Sequence, residues 1–333
     1  MAMVNRQDRV ILMGLGLVAA GLLVALGLLL AGAGQAAPLV VAGSGAAAYI
    51  ILLWHGARLT RRLDAAQRAL DRHRVRFEQE MALAAEVHNS LIPPSTRQAG
   101  PFRIDVRYVP LERIGGDIVA YHVDAERGVA RIGVGDVTGH GVAAALLVNR
   151  IHHEAEDLLR LAHPPGEILR RINRLVWRTF SGTEMLMTFT VMEVDAVAGR
   201  VTWANGGHPP PLLWHAETGA ISLLAPQATL LGVSDDLGVD PLDRAETIRP
   251  RDRIILHTDG LIDALDAEGR RFGMDRLIAL VGEILADCRE SPAGDRVPDA
   301  DRTGAEIIER VRQFARGLFE DDVLVVTVAL DAG

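Results

Sequence analysis

The segment that decides the fold is residues 129–141, VARIGVGDVTGHG. Its first part, residues 129–134, is predicted to form a strand, because apolar and β-branched residues dominate it. Asp136-Val137-Thr138-Gly139-His140-Gly141 follows, and a helix is predicted to begin after Gly141. Glycine lets the backbone turn sharply near a ligand. We therefore expect the carboxylate of Asp136 at a junction between strand and loop.

Three further acidic clusters are predicted at strand ends: Gly115-Gly116-Asp117, Thr258-Asp259-Gly260 and Asp321-Asp322. Taken singly, each is typical of a turn or a cap. Carboxylates from separate strand ends can converge, and they then repel one another unless cations lie between them. Because Cys288 is the only cysteine, a cysteine-based metal site is excluded. An oxygen-rich site of this kind suits Mg²⁺ or Mn²⁺.

The rest of the region after residue 93 has the pattern of an α+β domain. Residues 102–109 alternate apolar and polar side chains, as a half-buried strand does. Further strands are predicted at residues 118–123, 186–194, 200–204, 211–215, 253–257 and 323–330. Helices are predicted at residues 142–162, 167–180, 274–287 and 304–319. Strands in runs and helices in pairs favour stacked sheets covered by helices.

The N-terminal part differs in composition, since no Asp, Glu, Lys or Arg lies between Arg9 and Arg58. Residues 10–33 form an apolar run long enough to cross a bilayer as a helix, and residues 38–54 form a second, shorter run. Arginines flank both runs, so the positive-inside rule predicts a hairpin of two spans with both ends in the cytoplasm. The alternative is a signal peptide, although the first run exceeds the usual apolar region of about 7–15 residues.

Residues 59–91 carry a seven-residue repeat of mainly apolar positions, which predicts a coiled-coil helix and a parallel homodimer. A single amphipathic helix lying on its own domain is the alternative. Pro93-Pro94 is expected to end the helix. The predicted domains are therefore a transmembrane hairpin (1–57), a linker helix (58–92) and a globular domain (93–333).

Charge and cysteine content limit the function classes. The formal net charge of the 333 residues is −8, and the globular part has no Lys/Arg-rich patch, so a nucleic-acid partner is not expected. A single cysteine permits no intrachain disulfide and suits a reducing cytoplasm.

The order of the motifs resembles the stage II sporulation protein E type of bacterial phosphatase, a branch of the metal-dependent protein phosphatase 2C superfamily. The resemblance covers residues 84–330. It rests on seven elements in the family's order: residues 85–93, Gly115-Gly116-Asp117, Asp136–Gly141 with Ala143-Ala144, Ala204–Pro210, Leu231-Gly232-Val233, His257–Leu261 and Asp321-Asp322 before a strand. The Asp-x-Thr-Gly-His-Gly and Asn-Gly-Gly-His-Pro-Pro elements are the most specific.

The resemblance implies an αββα sandwich with two divalent ions, Mn²⁺ or Mg²⁺, at one end. Asp136 would bridge both ions with help from the Val137 carbonyl, and Asp117, Asp259 and Asp321 would complete the metal shell. Asp136 and Asp259 are the implied catalytic residues. The implied partner is a phosphorylated regulator of the anti-sigma-factor-antagonist type. The expected location is the bacterial cytoplasmic membrane, with the phosphatase domain in the cytoplasm and regulated through the linker helix.

The sequence departs from the family pattern at two places. Ile118-Val119-Ala120 stands where the family has aromatic residues and a further Asp, and Leu324 stands where it often has Thr. Asp321 is preferred to Asp322 as the ligand by motif position. His140 and His208 are expected to be structural. His152 and His153 are expected to lack an acidic or histidine partner at ligand spacing.

The sequence also suggests two other function classes. A phosphatase-fold scaffold without activity would have no need of the four acidic positions, which argues against it. A nucleotide cyclase is prompted by Gly115-Gly116-Asp117 alone, but Ile118-Val119 follows instead of the Glu-Phe that such a signature needs.

Overall fold

The computed structural model describes residues 6–32, 37–93, 96–111, 115–138, 142–180, 182, 185–290 and 300–331. The chain divides into two compact units, Met1–Gln79 and Glu80–Gly333. The second unit contains all the predicted site residues, and we call it the phosphatase unit after the resemblance described above.

The first unit consists of α1 (Arg6–Leu30) and most of α2 (Ala37–Ser90). Small residues lie where the two helices touch: a Cβ placed on Gly21 would overlap the Ser44 side chain, and Ala25 and Ala48 are buried. Small side chains allow helix axes to approach closely.

The predicted transmembrane hairpin is not supported by the structure. A helix needs about 20 consecutive apolar residues to cross a bilayer. Among the residues described, no helix has an apolar stretch of sufficient length.

The predicted linker helix is part of α2, which runs without a break through the expected boundary at residues 57 and 58. It ends at Ser90, shortly before Pro93, as the proline pair predicted. The boundary between the compact units lies at Gln79 and Glu80, within this helix. The coiled-coil positions Leu63 and Leu70 are 61% and 68% exposed in the single chain, and the homodimer stays a prediction.

The phosphatase unit contains two antiparallel sheets. The first has the strand order β1-β2-β11-β10-β7-β8. Its strands are β1 (Thr96–Ala99), β2 (Phe102–Val109), β7 (Leu212–Trp214), β8 (Ile221–Leu223), β10 (Arg253–His257) and β11 (Val323–Leu330). The second has the order β3-β4-β5-β6-β9. Its strands are β3 (Asp117–Asp124), β4 (Val129–Val137), β5 (Met187–Asp195), β6 (Arg200–Gly206) and β9 (Arg244–Thr247).

Three apolar clusters show that the sheets and helices form four layers. The central cluster joins the facing sides of the sheets, with Ile104 and Val326 from one and Ile132 and Met192 from the other. The outer face of the second sheet packs against α3 (Val142–Arg160) and α4 (Pro165–Phe180). The outer face of the first sheet packs against α5 (Asp259–Ile262), α6 (Met274–Glu290) and α7 (Ala300–Phe314). This order of layers is the expected αββα sandwich.

Local sequence explains the differences from the prediction. The last helix was expected to reach residue 319, but α7 ends at Phe314, and Arg316 and Gly317 adopt positive φ values of 52° and 93°. A C-terminal glycine in this conformation ends helices, and the Gly317 amide donates to the Arg312 carbonyl at 2.8 Å. The short strands β1, β8 and β9 were not predicted, because three or four residues carry too little periodicity.

Candidate metal centre

The hairpin of β3 and β4 brings two of the predicted ligands together. Asp117 and Asp136 are directly paired in the antiparallel register. The amide of Val137 donates to the Gly116 carbonyl at 3.1 Å. A Cβ on Gly116 would lie 2.6 Å from the Val137 carbonyl oxygen and 2.7 Å from Asp136 Oδ1. Glycine at this position therefore lets the backbone pass close to these two oxygens.

Thr258 connects this hairpin to the other sheet. Its hydroxyl donates to Asp117 Oδ2 at 3.0 Å and accepts from the Leu324 amide at 3.0 Å. Its own amide donates to the Leu324 carbonyl at 3.1 Å. Thr258 is fully buried and precedes Asp259, the first residue of α5. One side chain thus fixes Asp117, the end of β10 and the start of β11 relative to one another.

The two adjacent aspartates before β11 have different surroundings. Asp322 is 7% exposed, and its carboxylate accepts from the Leu111 amide at 2.8 Å and the Gly116 amide at 3.1 Å. Asp321 is exposed and accepts from the amide of Asp322 through Oδ1 at 2.8 Å. Asp322 therefore positions the Gly116 segment, while Asp321 keeps oxygen lone pairs available to a ligand.

The carboxylates interact strongly enough to shift one another's protonation. Burial, followed by the charges of Asp259, Asp321 and Asp322, raises the pKa of Asp136 to about 8. Burial and then the Asp136 charge raise the pKa of Asp117 well above its ordinary value. Burial and the Asp321 charge raise the pKa of Asp259. Neighbouring carboxylates that raise the pKa of Asp117, Asp136 and Asp259 in this way form a site that cations would stabilise.

Burial and the neighbouring carboxylates, Asp322 first among them, also raise the pKa of the Tyr108 hydroxyl. A side chain on Gly115 would overlap both this hydroxyl and the Asp322 carboxylate. Gly115 therefore allows the loop to pass close to these two groups.

The aspartates are more widely spread than the ligands of one ion. A single ion with metal–oxygen distances of about 2.1 Å holds its ligand oxygens within about 4.2 Å of one another. Within the part of the chain that the structure describes, no three of these carboxylates bring ligand atoms within 4.8 Å of one another. In this arrangement one ion could therefore take at most two of these carboxylates directly, and water or backbone oxygen would complete its shell.

The Asn-Gly-Gly-His-Pro-Pro element stabilises the strands behind the centre. The Asn205 amide group donates to the His208 carbonyl at 3.0 Å, and the His208 amide donates back to Asn205 Oδ1 at 2.9 Å. His208 Nδ1 lies 2.8 Å from the Thr188 hydroxyl, and Thr188 is the β-sheet partner of Asp136. Burial lowers the pKa of His208 to about 3. These contacts give His208 the structural role predicted for it.

The departures from the family pattern lie in the core. Ile118 and Ala120 are buried against α3 and α4, and Val119 is buried between the sheets. Leu324 is also buried between the sheets. These side chains therefore belong to packed layers and do not line the aspartate cluster. The prediction for His140 lies outside the described residues.

Sequence reasoning missed two parts of the centre. Thr258 belongs to the predicted Thr258-Asp259-Gly260 cluster, and its position directly before Asp259 was the signal that could have identified it. Tyr108 had no signal, because a tyrosine in an alternating strand is typical of ordinary packing.

Comparison with known proteins agrees with this architecture. A sequence model described as "Stage II sporulation protein E (SpoIIE)" matches residues 126–331, more than half of the chain. Phosphoserine phosphatase RsbP of Bacillus subtilis (strain 168) is 27% identical over 192 residues, which cover 56% of this chain and 46% of that protein. The chain thus spans about half the length of this curated relative.

Solved structures share the fold. The SiaA-PP2C domain of Pseudomonas aeruginosa superposes with a TM-score of 0.63 and 16% identity, over 78% of this chain and 99% of that one. The RsbU and RsbW domains of Rv1364c from Mycobacterium tuberculosis superpose with a TM-score of 0.56 and 21% identity, over 72% and 63% of the respective chains. At identities this low, the two comparisons show a shared fold only, the PP2C fold.

Proposed function

Because the chain belongs to the stage II sporulation protein E family, we propose that it is a metal-dependent phosphatase. It would remove phosphate from a serine or threonine of a regulatory protein. One observation supports this above all: four aspartates far apart in sequence interact at the junction of the two sheets. Their mutual repulsion is a cost that bound cations would offset while leaving the carboxylates ionised.

The residues present fit two divalent ions. We propose Asp136 and the Val137 carbonyl as ligands, because Asp136 Oδ1 and the Val137 carbonyl oxygen lie close to the same point beside Gly116. Asp117, Asp259 and Asp321 would complete the shell, directly or through water. Mn²⁺ or Mg²⁺ suits an all-oxygen set of this kind. When bound, two such ions activate water and neutralise charge on the phosphoryl oxygens.

The chain's own residues would hold this arrangement in place. Thr258 orients Asp117, and Asp322 fixes the backbone at Gly116, so neither group has to reorganise when substrate binds. Groups fixed in advance near developing charge contribute more to catalysis than mobile ones. Asp136 and Asp259 are the residues whose loss should affect the reaction most.

The substrate we propose is a phosphorylated protein of the anti-sigma-factor-antagonist type. We also propose that the seven-residue repeat of α2 mediates a homodimer, since Leu63 and Leu70 are exposed in the single chain. The location predicted from the sequence, at the cytoplasmic membrane with the phosphatase unit in the cytoplasm, remains a prediction that cell fractionation would test.

Phosphate release by the purified full chain tests the proposed activity. The substrates would be phosphorylated antagonist proteins, with Mn²⁺, with Mg²⁺ and with a chelator. We expect metal-dependent release that falls at least about 100-fold in Asp136→Asn, since a charged group at the reaction centre is removed. Asp124→Asn, at the other end of β3, is the matched control and should keep its activity. Equal release by wild type and Asp136→Asn would refute the proposal.

A further inference from the structure

A second group of ligand-type side chains lies on α3. His152, His153 and Glu156 each offer one atom, and these three atoms lie within 4.8 Å of one another. His152 Nδ1 is 3.6 Å and His153 Nδ1 is 3.9 Å from Glu156 Oε2. His152 is ten residues, or about 15 Å along the helix axis, from the helix start at Val142.

Hydrogen bonds between the side chains do not hold this cluster together. His152 is 4% exposed, and the groups that act on its ring are Glu156, His153 and the backbone of Leu91 and Val119. A metal-binding histidine commonly donates its other ring nitrogen to a backbone carbonyl, which fixes the orientation of the ring. The separation of 3.6 Å from Glu156 is too long for a hydrogen bond.

The distances fit a shared metal ion. Zinc binds histidine nitrogen at about 2.0–2.1 Å and carboxylate oxygen at about 2.0–2.2 Å, so two ligands of one tetrahedral ion lie about 3.4 Å apart. The observed separations of 3.6 and 3.9 Å exceed this value only slightly. Small rotations of the exposed His153 and Glu156 side chains would close the difference.

We propose that His152, His153 and Glu156 form a second metal site, separate from the aspartate centre, for a borderline divalent ion such as Zn²⁺. Two imidazoles and one carboxylate are a ligand set that zinc accepts, and the fourth position would hold water. The His153 and Glu156 side chains are 66% and 51% exposed, which gives the ion a path from solvent. This proposal does not depend on the proposed phosphatase activity.

The protonation state of His152 is consistent with a metal ligand. Burial is the main cause that lowers the pKa of His152, and a lowered pKa favours the neutral form in which histidine binds metals. The site also corrects the prediction that His152 and His153 lack a partner at ligand spacing. Glu156 follows them by four and three residues, the spacings that bring side chains together on a helix.

Zinc binding by the full chain tests this proposal. Bound Zn²⁺ would be measured by equilibrium dialysis in an Asp136→Asn background, which weakens the aspartate centre. We expect His153→Gln combined with Glu156→Gln to lose one Zn²⁺ per chain, with its affinity reduced about 100-fold or more. Both side chains are largely exposed, so folding should be preserved.

A matched control replaces another histidine and another carboxylate that lie nearby. His163→Gln combined with Asp157→Asn should leave Zn²⁺ binding unchanged, since neither residue belongs to the cluster. Equal stoichiometry and affinity in the two double variants would overturn the proposal. So would a Co²⁺-loaded chain whose visible absorption is the same with and without His153 and Glu156.

Discussion

Replacing Thr258 by valine removes one hydroxyl from the centre while nearly preserving its shape. The hydroxyl donates to Asp117 at 3.0 Å and accepts from the Leu324 amide at 3.0 Å. Thr258→Val therefore leaves two buried polar groups without this partner. Each such loss costs about 1–3 kcal/mol, so the free energy of unfolding should fall by about 2–6 kcal/mol.

Thr258→Ser is the matched control, because it keeps the hydroxyl and removes one methyl group. Its expected cost is about 1 kcal/mol. Urea unfolding followed by tryptophan fluorescence measures both variants, since the buried Trp203 and Trp214 report on the phosphatase unit. The metal dependence of phosphate release gives a second readout: the Thr258 hydroxyl lowers the pKa of Asp117, so its loss should raise the Mn²⁺ concentration required. Equal stability of the two variants, with equal Mn²⁺ requirements, would refute this role for Thr258.

Three further perturbations address the same centre. Gly116→Ala should lower activity by about 100-fold, because its Cβ would lie 2.6 Å from the Val137 carbonyl oxygen. The backbone would have to move away, and a misplacement of about 1 Å at a reaction centre has an effect of that size. Phosphate release at the wild-type rate would contradict this prediction. Asp322→Asn should cost about 1–3 kcal/mol of stability, whereas Asp321→Asn should leave urea unfolding nearly unchanged and weaken Mn²⁺ binding; the reverse pattern would exchange their roles. Without metal, the free energy of unfolding should fall as pH rises from about 4 to about 8. The pKa of Asp136 is about 8 in the folded protein against an ordinary 3.8. A carboxyl with a raised pKa binds its proton more tightly in the folded state, so its contribution to stability is lost as pH rises through the folded pKa. Thermal unfolding across this pH range, with and without Mn²⁺, measures the effect. A metal-free melting temperature that does not change with pH would contradict the prediction.

The sequence was most informative where periodicity and motif coincide. The strands at residues 102–109 and 323–330 were predicted with the bounds that the structure has, because each is a continuous pattern bounded by turn residues. The aspartates were found because glycines and strand ends surround them. Their shared location came from a resemblance, since no local pattern shows which strand ends meet in space.

Other features depend on tertiary contacts that sequence patterns do not contain. The role of Thr258 follows from hydrogen bonds across 141 and 66 positions of the chain. Glu156 follows His152 by four residues, a spacing that places both on one face of a helix, but the burial of the His152 ring is not visible in the sequence. The long apolar runs near the N-terminus predicted membrane spans, whereas the described structure contains no helix suited to that role.

Calorimetric titration of the full chain with Mn²⁺ tests most directly whether Asp117, Asp136, Asp259 and Asp321 hold a cation pair. We predict two Mn²⁺ per wild-type chain and loss of this binding in Asp136→Asn. A wild-type chain that binds no Mn²⁺, or an Asp136→Asn variant that binds it equally well, would contradict the metal centre.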